Sequence, residues 1–374
     1  MPELQEIMQR YGVAYRASHV LAAVQLKAME AIAACRTAAL GAHIDICDKC
    51  GFEQISYNSC RNRHCPKCQT LAKEEWIARQ RQNLINCQYF HVVFTVPANL
   101  RLIFYQNQRA MYTTLFKAAS ETLMELCADR KYLGAKPGVT AVLHTWGQNL
   151  SYHPHLHCIV TGGGLTGMNS WKDGRKKFFI PVKVLARKFR GKLLCFLRQE
   201  KPQFCGSLDY LNDAKHFGTL IDKLYRTDWV VYCKPPFGNA QKVIEYLGRY
   251  THRVAISNER LISVEGGHVT FRWRDYSDGN KQKIMTLPAE EFIRRFLMHI
   301  LPSGFRKIRH YGIFASRDKG QRLLLCKWLT RTLIVFSAPK PMIERLTRIF
   351  GQDFNLCPRC HIGHLSSASP LAAS

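Results

Sequence analysis

Cys47-Asp48-Lys49-Cys50 and Cys65-Pro66-Lys67-Cys68 form two CxxC pairs separated by fourteen residues. A CxxC turn presents two sulfurs to one ion, and zinc prefers four ligands in a tetrahedron. A module this small has too little core to fold without such a staple. The spacing therefore predicts one structural zinc ion on Cys47, Cys50, Cys65 and Cys68. Cys60 and His64 lie inside the loop as alternates, able to replace a member or to hold a second ion. The competing reading is a redox CxxC or buried free thiols, and two pairs together weigh against it. Near the C-terminal end, Cys357 and Cys360 with His361 and His364 offer a second zinc set. Four ligands in eight residues is tight. That ligand set stays open between a local site, a site shared with a distant partner, and a frayed tail.

The chain has fifteen cysteines, and five fall between Cys47 and Cys68. Clustered cysteines in a reducing compartment argue for metal over disulfides. The scattered ones (Cys87, Cys127, Cys158, Cys195, Cys205, Cys233) read as small core residues. Among 374 residues, 54 lysines and arginines face 27 acidic residues, for a net charge of +27. That excess costs self-repulsion, so a polyanion partner is expected, nucleic acid before an anionic membrane surface. No stretch is long and apolar enough to span a bilayer. The N-terminus lacks a signal-type apolar run, so a cytosolic location is expected.

Along the chain, residues up to about 45 are helical in pattern, as in SHVLAAVQLKAMEAIAAC. The cysteine cluster follows, then a charged helix, TLAKEEWIARQRQNLI. YFHVVFTVP is a strand, a long helical stretch covers roughly 99–130, and VTAVLHTWG is a second strand. A third is YHPHLHCIVTGGG, Tyr152 to Gly164. The segment WKDGRKKFFIPVKVLARKFRGK carries nine lysines or arginines against one aspartate. NAQKVIEYLGRYTHR reads as a helix with Asn239 as N-cap. RVAIS, RLISVEGG and HVTFRWRD read as a small antiparallel meander. The last hundred residues look mostly helical and end in a flexible-looking SSASPLAAS.

His153, His155 and His157 alternate, so on a strand they point the same way. Alone, H-x-H more often does nothing than binds metal. The preceding strand changes that weighting. A hairpin with its loop near 148–154 places His144 opposite His157 and Trp146 opposite His155. His144, His155 and His157 then converge on one face, where three imidazoles suit a catalytic divalent ion. His153 has the right parity but sits toward the loop beside Pro154. Leu156 and Val160 face the core on the other side.

Tyr246 and Tyr250 are four apart, about 40° around a helix and one turn along it. Val243 and Leu247 share the stripe, so on spacing alone a core role is favoured. A tyrosine can also attack phosphorus and store the bond energy in a covalent intermediate. With a pKa of about 10 it needs a neighbouring cation. Arg249, His252 and Arg253 would supply local charge. Arg61 and Arg63, with His64 and Lys67 in the cysteine loop, suit phosphate contacts. Arg272 and Arg274 flank Trp273 in HVTFRWRD, where aromatics can stack on bases while arginines track phosphates. An ordinary amphipathic strand explains that stretch equally well.

SCRNRHCPKCQ, LHTWGQNLSYHPHLHCIVTGGG, YLGRYTHRVAISNERL and LPSGFRKIRHYG together resemble the IS91-type rolling-circle insertion-sequence transposases. These are HUH endonucleases, named for a histidine–hydrophobic–histidine strand, here His155-Leu156-His157. The resemblance runs in order over nearly the whole chain. It implies an α+β fold with a central antiparallel sheet flanked by helices, a helical zinc-binding N-terminal domain and a mostly helical C-terminal region. It implies a magnesium or manganese ion held by His155 and His157. Related relaxases carry a histidine eleven residues before the pair, a spacing His144 holds. Tyr246 and Tyr250 take the nucleophile roles, leaving a 5′-phosphotyrosine and a free 3′-OH. Two tyrosines suit successive strand transfers. The implied partners are single-stranded DNA, insertion-sequence ends and target DNA, with a homo-oligomer left open. The implied location is the bacterial cytoplasm, with the nucleoid reached through DNA.

The domains expected are residues 1–86, helical and zinc-binding; 87–275, catalytic, with a basic insertion near 165–237; and 276–374, helical with the second zinc set. Two alternatives remain. One is a plasmid replication initiator or conjugative relaxase of the same chemistry. The other is a non-catalytic zinc DNA-binding protein, in which Tyr246 and Tyr250 are core residues.

Overall fold

The computed structural model describes residues 2–175, 179–234, 243, 248, 251–252, 254–276, 278–333, 344, 347 and 351–373. The chain opens with two helices, α1 Leu4–Ser18 and α2 Ala23–Ala33. A hairpin follows, β1 Ala42–Cys47 and β2 Glu53–Tyr57, and then α3 Pro66–Arg81. Next come β3 Tyr89–Thr95, α4 Arg101–Gln106, α5 Gln108–Ala128, β4 Gly138–Trp146 and β5 Tyr152–Thr161. A short ribbon, β6 Gly163–Leu165 with β7 Trp171–Asp173, leads to α6 Val182–Glu200, α7 Ala214–Arg226 and β8 Val231–Lys234. The C-terminal part holds β9 Leu261–Glu265, β10 His268–Asp275, β11 Lys281–Pro288, β12 Ile308–Gly312 and β13 Leu365–Leu371. Two helices stand among these last strands, Ala289–Leu297 and Lys319–Leu329.

The central sheet has five antiparallel strands in the order β12-β4-β5-β3-β8. Alternation divides its faces, because successive side chains on a strand point opposite ways. Val92 and Phe94, Val139, Ala141 and Leu143, and Leu156, Cys158 and Val160 all fall on one face and join one core. Two helices cover that face. α5 contributes Met111, Leu115 and Ala118, and α6 contributes Leu185, Phe189 and Leu193 at helical spacing. The basic stretch read from sequence is thus amphipathic, with α6 burying its apolar stripe. Burying a side chain such as Phe94 contributes about 1.5–3 kcal/mol. The structure has the α+β class expected, an antiparallel sheet flanked by helices.

A second core joins the N-terminal helices to the stretch from Ala255 to Ile300. Leu4, Ile7, Met29 and Ile32 of the N-terminal helices pack with Val264, Val269, Phe271, Phe292 and Phe296. This core crosses the boundaries drawn at 86 and 275. The meander exists, but its strands are β9, β10 and β11 in the order β11-β10-β9. Val254–Ser257, expected as a strand, are not in one, and KQKIMTLP supplies the third strand. Ser366–Leu371, read as a flexible tail, belong to β13, which pairs antiparallel with β1. Cys195 and Cys205, expected in the core, are exposed. Among the described residues no helix is long and apolar enough to cross a membrane.

Candidate metal centres

The face of the sheet opposite α5 carries the histidines. His144 pairs with His155, Val142 with His157, and Trp146 with Tyr152. The expected register, with His144 opposite His157 and Trp146 opposite His155, is off by two residues. The loop is shorter than expected and closes where the Gly147 amide donates to the Ser151 carbonyl at 2.9 Å. The ladder shifts between His144 and Trp146, and Pro154, which has no N–H to offer, is placed at that irregularity. A slip of two keeps every side chain on its own face. His144, His155 and His157 still converge, with one ring nitrogen from each within 4.8 Å of the others.

Neighbouring groups orient these rings. His155 Nδ1 lies 2.7 Å from the His153 carbonyl, so it carries the proton and leaves Nε2 as a lone pair. His155 Nε2 and His157 Nε2 stand 3.1 Å apart. Two lone pairs this close suit a shared cation. His157 Nδ1 lies 2.9 Å from His91 Nε2, with the rings nearly parallel at 7°. Burial, then Lys234 and His155, push His91 down to about 3, which keeps it neutral and able to accept the His157 proton. Trp146 stacks on the buried His144 at 4.6 Å between centroids. The donors are three imidazoles, a set that suits a divalent transition-metal ion better than magnesium.

His91 is a residue the sequence reading missed. It lies on β3 and reaches the site only through strand pairing, with Val93 opposite His157. His153 stays out of the cluster, as its place near the loop suggested. Its Nδ1 accepts from Arg101 at 2.7 Å. Arg101 also went unnoticed, and its Nε is buried with no partner among the described residues.

The cysteines correct the reading of a single N-terminal zinc site. Cys65 and Cys68 gather with Cys35 and Cys60, whereas Cys47 and Cys50 gather with Cys357 and Cys360. β2 explains the split: its five residues, at about 3.3 Å each, carry the chain away from the Cys50 turn before Cys60 is reached. Cys35, just past α2, was not anticipated; the tight set Cys60, Cys65 and Cys68 in nine residues was its only local sign. In the first cluster Cys35–Cys68 and Cys35–Cys65 are 3.7 Å apart and Cys60–Cys68 3.6 Å. Zn–S bonds of about 2.3 Å in a tetrahedron place sulfurs about 3.8 Å apart, so four thiolates fit zinc here. His64 takes no part; its Nε2 accepts from the Leu301 amide at 3.4 Å. His361 and His364 likewise lie outside both clusters.

The expected DNA contacts divide. Arg61 is exposed. Arg63 instead binds the 301–305 turn, donating to the carbonyls of Phe305 at 2.5 Å, Pro302 at 2.8 Å and Leu301 at 3.2 Å. A half-buried guanidinium held by three carbonyls is already satisfied, which corrects its assignment to phosphates. Arg272 and Arg274 are exposed on β10, two apart and so on one face. Tyr246, Tyr250, Arg249, Arg253 and Asn239 lie outside the described residues. Beside them, Val243 is buried with Trp76, Ile77 and Ile159. Ile159 shares the histidine face of β5, so Val243 is buried on that side of the sheet. Gly248 comes so close to α3 that a Cβ there would run into Ile77 Cδ1. His252, expected to supply charge, is pushed down to about 4 by burial and then by Lys307, Arg79 and Lys73. Those three carry the local positive charge instead.

The comparisons with known proteins agree with one another. A "Putative transposase" family model matches residues 138–322, and a "Transposase zinc-binding domain" model of IS91 type matches residues 7–96. The chain is 47% identical to a putative transposase of Sinorhizobium fredii, over 97% of this chain and 94% of that relative. It is 29% identical to the transposase for insertion sequence element IS801 of Pseudomonas savastanoi pv. phaseolicola, over 80% of this chain and 72% of that protein. No solved structure matches the chain.

Proposed function

The chain belongs to the IS91-type transposases, and from that premise we propose that it nicks and rejoins single-stranded DNA through a 5′-phosphotyrosine intermediate during rolling-circle-like transposition, with a divalent ion held by His144, His155 and His157. The convergence of those three ring nitrogens supports this reading most directly. Burial of Val243 in one cluster with Ile159 of the same face supports it further, because Tyr246 and Tyr250 follow closely in sequence.

The chain's own groups have distinct tasks. The His153 carbonyl and His91 fix the rings of His155 and His157, so that no reorganisation is needed when a cation binds. The chemistry supplied by a bound Mn²⁺ or Mg²⁺ is polarisation of the scissile phosphate and stabilisation of charge on the departing oxygen. Tyr246 or Tyr250 attacks phosphorus, the P–O3′ bond breaks, and the 3′ oxygen takes up a proton. Rejoining reverses this: a 3′-OH attacks the phosphotyrosine, the P–Oη bond breaks, and the phenol regains its proton. Bond energy is conserved, so no nucleotide is consumed. Lys307, Arg79 and Lys73, the cations acting on His252, would favour a phenolate brought beside them. Arg101, half-buried and bonded to His153 Nδ1, offers its guanidinium charge to a phosphate of the bound strand. Insertion-sequence ends and target DNA are the substrates, and Arg61, Arg272 and Arg274 track their phosphates.

Incubating the protein with single-stranded DNA carrying an insertion-sequence end and Mn²⁺ should give a denaturant-resistant protein–DNA adduct. Replacing Tyr246 and Tyr250 together by phenylalanine should abolish it. His155→Ala with His157→Ala should reduce it by at least about a hundredfold while circular dichroism stays unchanged. An adduct that survives the double phenylalanine variant removes these tyrosines as nucleophiles.

A further inference from the structure

The strand β13 lacks the usual means of staying in place. Its sequence is LSSASPL, and apart from a half-buried Leu365 every residue is exposed. It nevertheless pairs with β1 along its length, from Ala42 with Leu371 to Cys47 with Leu365. Hydrophobic burial scales with apolar area removed from water, and β13 removes little. Ladder hydrogen bonds on an exposed edge compete with water and contribute little net stability. Something else must hold residues more than three hundred positions apart.

The end of that ladder supplies it. Cys47–Cys50 and Cys357–Cys360 face each other as two knuckles, with Cys47 Sγ 3.7 Å from Cys360 Sγ and Cys50 Sγ 3.7 Å from Cys357 Sγ. A disulfide would need about 2.05 Å, whereas a tetrahedral zinc thiolate edge is about 3.8 Å. The two knuckles are built alike. In each, the residue after the second cysteine adopts a left-handed conformation, Gly51 at φ 65° and His361 at φ 55°. In each, a backbone amide donates to a sulfur: Lys49 to Cys47 at 3.4 Å and Gly363 to Cys360 at 3.3 Å. They are also bonded across, Asp48 N to the His364 carbonyl at 3.1 Å and His364 N to Asp48 Oδ1 at 2.7 Å. A side chain at Gly363 would put its Cβ 2.5 Å from Cys47 Sγ, so glycine is what lets the knuckles close.

We propose that Cys47, Cys50, Cys357 and Cys360 bind a second structural zinc ion, separate from that of Cys35, Cys60, Cys65 and Cys68, and that this ion fastens β13 to the N-terminal hairpin. Half of its ligands lie outside the 7–96 zinc-binding match, beyond both matched regions of the chain. This zinc is also the more accessible of the two. Cys50 is exposed and Cys360 half-buried, whereas Cys35, Cys65 and Cys68 are all buried. The second ion should therefore leave first on chelation and free the C-terminal strand.

Zinc content of the full chain, measured by inductively coupled plasma mass spectrometry, should be two ions per chain, and one in a Cys357→Ala/Cys360→Ala variant. Hydrogen exchange should rise in that variant at Ala42–Cys47 and Leu365–Leu371 and stay unchanged in α5. Two ions retained in the variant, or one ion in both proteins, overturns the proposal. A test on the unaltered chain covers the case in which the variant does not fold. With zinc bound, Cys50 should resist iodoacetamide at least tenfold better than the exposed Cys195 and Cys205, and lose that protection after EDTA. Alkylation of Cys50 as fast as those two in the zinc-replete protein also overturns it.

Discussion

His91 contacts no ion in this reading, yet it decides which nitrogen of His157 is available. By accepting the Nδ1 proton it leaves Nε2 turned toward His155. Removing such a partner typically weakens metal binding about 10–100-fold. His91→Ala should therefore raise the Mn²⁺ concentration for half-maximal adduct formation within that range, and His91→Gln, which keeps an acceptor, should recover part of it. A metal requirement unchanged in His91→Ala would make His91 an ordinary core residue. Residues at this scale were unevenly legible. His144, His155 and His157 could be grouped from sequence because parity fixes the face of a strand whatever the register. His91 could not, since its neighbour on β5 is known only once β3 is paired. Arg63 misled for a related reason: a guanidinium in a basic loop reads as a phosphate ligand until three carbonyls are found around it.

Among the elements, α3 meets two residues that flank Tyr246 in sequence, Val243 and Gly248. Val243 is buried against α3, and Gly248 admits no side chain beside Ile77. Gly248→Ala should push the segment off α3 and cost about 1–3 kcal/mol, the usual range for overpacking. Adduct formation should fall with it. Adding Ile77→Ala, which removes both obstructing atoms, Cδ1 and Cγ1, should restore adduct formation. Urea unfolding reads the stability, and an unaltered midpoint in Gly248→Ala would show that the contact is not tight. Hydrophobic period and proline placement were enough to find α2, α3, α5, β3, β4 and β5, because each buries one face. β11 and β13 escaped notice. β13 is almost wholly exposed, and β11 half-buries Lys283, Met285 and Leu287 while exposing the apolar Ile284, so neither sequence shows the alternation that marks a half-buried strand.

Across the whole molecule, the net charge of +27 and the core shared by the N-terminal helices with residues 255–300 are the dominant features. Binding to single-stranded DNA releases counterions, with a slope in log K against log salt of about −0.7 per phosphate contact. Six or more contacts would give a slope of about −4 or steeper between low and physiological salt; a slope shallower than about −1 would assign the charge to another task. The sequence by itself determined the family, the α+β class, the histidine face and the presence of thiolate metal sites. Those properties rest on local spacing and on strand parity, and both survive errors of register. Tertiary structure alone decided which cysteines gather into one cluster. A CxxC turn supplies only two sulfurs, and the other two come from wherever the fold brings the chain back. Here β2 carries Cys60, Cys65 and Cys68 away from the first knuckle, and β13 returns Cys357 and Cys360 to it.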